Sequence, residues 1–63
     1  VIVEVLTYDH QEVNIVVFQG RVKASGRFIT FAVDHRLAQD IVNAMASTED
    51  AVLVEVESWQ VIG

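Results

Sequence analysis

Sixty-three residues without a cysteine exclude a disulfide-stapled scaffold and imply one small domain, 1–63, near the lower size limit for an unassisted core. A net charge of −5 disfavours a protein that tracks a nucleic-acid backbone, and no apolar run approaches the roughly 18–20 residues of a membrane-crossing helix. Stability must come from packing or assembly, and a hydrophobic content of 52% supplies the material for either.

Val1 to Tyr8 is β-branched and aromatic and reads as the first strand. Period-two alternation sets Val1, Val3, Val5 and Thr7 on one face and Ile2, Glu4, Leu6 and Tyr8 on the other. Asp9-His10-Gln11-Glu12 then reads as a polar turn. The second strand runs from Val13 to Ala24. Val13, Ile15 and Val17 share one face, while Val22 and Ala24 alternate in the opposite phase, so a bulge is expected at Gln19-Gly20. Ser25-Gly26 marks a hairpin turn into a third strand, Arg27 to Val33.

Apolar pattern favours a two-residue loop, or the equivalent four-residue one, because that register gathers Val22, Ala24, Ile29 and Phe31 on the core face. Phe28 then lies on the outer face beside Arg21 and Lys23. Asp34 is a good N-cap, and Leu37, Ala38, Ile41, Val42, Met45 and Ala46 recur at helical spacing, which predicts a helix over Asp34–Ala46. Ser47-Thr48-Glu49-Asp50 ends it. Ala51 to Ser58 reads as the last strand, parallel to the first, with Trp59, Val61 and Ile62 as an apolar tail. The expected fold is α+β, in the order β-β-β-α-β: a four-stranded, mostly antiparallel sheet with one helix on one face.

No motif in this sequence specifies a chemistry. Asp9-His10 and Asp34-His35 are explained as turn and cap residues, with no third ligand at a metal-binding spacing. Glu55 and Glu57 share a strand face that solvates well. The serines lack a nucleophile context, and Gly20, Gly26 and Gly63 make no phosphate loop. No catalytic residue, metal or cofactor is assigned, and no enzyme activity is expected.

What stands out is the sheet face opposite the helix. Ile2, Leu6, Tyr8, Phe28 and Leu53 fall there among charged residues, more apolar surface than a lone small domain usually exposes. Either the sheet curls to close that face or another chain covers it. Arg21, Lys23, Arg27 and Phe28, with Leu6, Tyr8 and Leu53, are the candidate contact residues. The expected function is a small binding or assembly protein that works through protein contact and self-associates as a homo-oligomer. Two alternatives are a single-stranded nucleic-acid or anionic-ligand module on the 21–28 hairpin, and an acidic accessory subunit or inhibitor docking on a basic partner. Val1-Ile2-Val3 does not resemble a secretory leader, so a cytoplasmic location without membrane contact is expected.

Overall fold

The β-rich first half of the chain forms three antiparallel strands in the computed structural model, which describes residues 1–62. Gly63, the last residue of the expected domain, lies outside the described residues. The elements are β1 (Ile2–Gln11), β2 (Val16–Val22), β3 (Phe28–Val33), α1 (His35–Ser47), β4 (Leu53–Glu55) and β5 (Trp59–Val61). They make a small α+β fold, with one helix against a sheet of five strands in the order β4-β1-β2-β3-β5. No helix among the described residues is long and apolar enough to cross a membrane.

The fifth strand corrects the expectation of four. The segment expected as one strand, Ala51 to Ser58, is a strand only over Leu53–Glu55. Leu53–Glu55 pairs with β1, and Trp59–Val61, expected as a tail, pairs with β3 at the other edge. β4 also runs antiparallel to β1, not parallel. The placing of β4 and β5 at opposite edges has a geometric consequence. Opposite edges of a flat five-stranded sheet stand four strand spacings apart, roughly 19 Å. Glu55 and Trp59 are joined by a chain that reaches about 14 Å at most. The sheet therefore curls until its edges come within reach of Val56–Ser58, and Val56 is buried in the core on the way.

The bulge expected at Gly20 lies elsewhere. β2 pairs with β3 without interruption, whereas β1 shifts register against β2 twice, between Val5 and Thr7 and between Tyr8 and His10. The extra residues belong to β1. Each shift reverses the alternation there, so Tyr8 pairs with Phe18 on the helix side, not on the open face. Its ring meets Phe18 edge-on at 6.2 Å, and Phe18 stacks on Phe31 at 5.9 Å. Gly20 has a different task. A Cβ there would stand 2.5 Å from Val3 Cγ1 and 2.7 Å from the Glu4 carbonyl oxygen, so only glycine lets β1 and β2 close over Phe31.

Between helix and sheet lie Val3, Val5, Val16, Phe18, Val22, Ile29, Phe31, Val33, Ala38, Ile41 and Val56, with Met45, Val52 and Val54 packed against them. Val1, expected inside, is exposed. Asp34 caps α1 as expected, its carboxylate accepting from the Leu37 amide at 2.8 Å.

Candidate functional site

Antiparallel partners put their side chains on the same face, so the pairing register lays out the open side of the sheet row by row. Glu4 pairs with Leu53 in β4 and with Arg21 in β2, and Arg21 pairs with Phe28 in β3. One row therefore reads Leu53, Glu4, Arg21, Phe28 across four strands. Arg21 Nη2 donates to Glu4 Oε1 at 3.0 Å, and the apolar ends of the row, Leu53 and Phe28, are each 48% exposed. Ile2, beside Glu4 in β1 and opposite Glu55, is exposed on the same side of that pair of strands.

Of the residues expected to make contacts, the row brings together Arg21, Phe28 and Leu53. The others separate. Lys23 falls in the hairpin turn, which is the four-residue form: the Gly26 amide donates to the Val22 carbonyl at 2.8 Å, and Gly26 takes the left-handed φ of 74° that glycine tolerates. Arg27 follows at the turn's exit, with its amide donating to Ser25 Oγ at 3.3 Å. Leu6 sits at the first register shift and is exposed, and Tyr8 has moved to the helix side.

A second feature was not anticipated. β1 continues through the residues expected as a turn and ends at Gln11; the reversal comes at Glu12–Ile15, closed by the Glu12 amide donating to the Ile15 carbonyl at 2.9 Å. This holds Asp9, His10 and Glu12 together. His10 Nδ1 lies 2.8 Å from Asp9 Oδ2 and its Nε2 lies 2.9 Å from Glu12 Oε2, while Gln19 Nε2 donates to Asp9 Oδ1 at 2.9 Å. The Glu12 and Asp9 carboxylates raise the His10 pKa above its ordinary value, and the hydrogen bonds from Gln19 and His10 lower that of Asp9. Neighbouring side chains do meet here because the register shift between Tyr8 and His10 breaks the alternation that would have kept Asp9 and His10 apart.

These residues form the rim of a hollow of about 490 Å³, with Val17 and Ala32 below and Ser58, Gln60 and Ile62 on the β5 side. Val17 pairs with Ala32 and His10, away from the helix, yet it is only 8% exposed. Among the residues that line the hollow, the titratable ones are Asp9, His10 and Glu12. Among the described residues, no group of three His, Asp or Glu side chains is arranged to hold a metal ion.

In comparisons with known proteins, no family model matches the chain, and neither does any curated protein or solved structure.

Proposed function

We propose that the protein is a binding module that works by contact of its open sheet face with another protein chain. The observation that carries this reading is the row Leu53, Glu4, Arg21, Phe28: two half-exposed apolar ends around one charge pair, flanked by exposed Ile2. Interfaces favour this composition, with aromatic and Arg anchors among apolar groups. The rival platform for single-stranded nucleic acid has less support, because the base that flanks Phe28 is already paired with Glu4.

A photocrosslinking side chain placed at Phe28, and separately at Val42 on the exposed helix surface, tests the reading in lysate of the source organism. A discrete protein adduct from position 28 and none from position 42 is expected. No adduct at either position, or the same adducts at both, overturns it.

A further inference from the structure

We infer that the chain covering the open sheet face is a second copy of this protein, related by a twofold axis that lies between the two sheets and runs along the strands. The inference rests on the reading above and adds the identity and orientation of the partner.

The argument is the order of residues in the row. A twofold along the strands, placed between β1 and β2, reverses the row on the facing copy. Leu53 then faces Phe28 of the copy, Phe28 faces its Leu53, and each Glu4 faces an Arg21. Arg21 already holds Glu4 of its own chain at 3.0 Å, so the four charges alternate in sign around the axis. One row down the sheet, Thr7 pairs with Gln19, and the same axis sets each hydroxyl against an amide that can hydrogen-bond to it. The alternative twofold, across the strands, faces Glu4 with Glu4 and Arg21 with Arg21, and like charges directly opposed are unfavourable. The row is thus self-complementary in one orientation and self-repelling in the other.

Glu4→Arg and Arg21→Glu test this, each alone and mixed in equal amounts, with sedimentation velocity as the readout and circular dichroism to verify folding. Each single variant carries two like charges at the axis and should self-associate at least tenfold more weakly than the unaltered chain. The mixture should recover association as a heterodimer, because every facing pair across its axis is again opposite in sign. Recovery in the mixture is the decisive result for contact between copies through this row: inside each variant chain the pair stays like-charged, so only contact between chains explains it. A mixture no better than its components overturns the inference, as does an unaltered chain that is monomeric at millimolar concentration. Neither outcome removes the Phe28 adduct expected above, so failure of the twofold and failure of protein contact are told apart.

Discussion

The two faces of this sheet are built from the same strands by opposite rules. Toward the helix, every fully buried large side chain is apolar, and the described residues include no buried polar or charged residue. Away from the helix the rows mix charge, hydroxyl, amide and exposed apolar groups, with Val17 buried only where the β1–β2 turn and β5 rise around it. The contrast teaches where changes should register. Substitutions on the covered face should change stability, and those on the open face should change contacts.

Phe18→Ala should do the greatest damage. It empties the centre of the ring stack and should cost about 3–5 kcal/mol of unfolding free energy, measured by urea denaturation. Gly20→Ala comes next. The added methyl meets backbone as well as Val3, so a loss of about 1–3 kcal/mol is expected. Little or no loss would mean that β1 and β2 can separate without disturbing the core. Asp34→Ala removes the helix cap and should cost about 1 kcal/mol. Phe28→Ala should leave monomer stability within about 0.5 kcal/mol while weakening association in sedimentation, which makes it the sharpest test of the contrast. A large stability loss there would erase the distinction between faces.

The smallest effect concerns pH. His10 has a raised pKa, so its contribution to stability is full below its unfolded value and fades as pH rises through the folded one. Asp9 has a lowered pKa, so its contribution is present above its unfolded value and is lost as pH falls through the folded one. The cluster therefore stabilises most between those limits. His10→Ala should shift the thermal midpoint slightly near pH 5.5 and less at pH 8.5, whereas an equal shift at both would assign His10 a role independent of its charge.

Much of the fold was legible where local chemistry and burial agree. The helix and its Asp34 cap, the turn at Ser25-Gly26, and Phe28 beside Arg21 on the outer face follow from spacing alone. What escaped the sequence is traceable to β1. Its two register shifts contain neither Gly nor Pro, so nothing in Val5–His10 announces them, and strict alternation then places Tyr8 on the wrong face. Reading Val13, Ile15 and Val17 as one phase hid Phe18, the largest fully buried side chain. Gly20 offered a visible signal that was assigned to the wrong cause: it marks close approach of two strands rather than a slip between them. The Asp9, His10 and Glu12 cluster was hidden by the same irregularity in β1. The shortening of Ala51–Ser58 to Leu53–Glu55, and the pairing of the expected tail at the opposite edge, follow from tertiary contacts that no local pattern encodes.

The link Val56–Ser58 also sets the order in which the sheet can be completed. During synthesis β1, β2 and β3 emerge before β4 and β5, with both outer edges unpaired and able to template pairing with other chains. Neither edge is occupied until residues 53 to 61 have left the ribosome, and three residues then deliver a strand to each side. β4 and β5 thus act as a paired closure: a nascent chain stalled before Leu53 carries two open edges, and one that has passed Val61 can cover both.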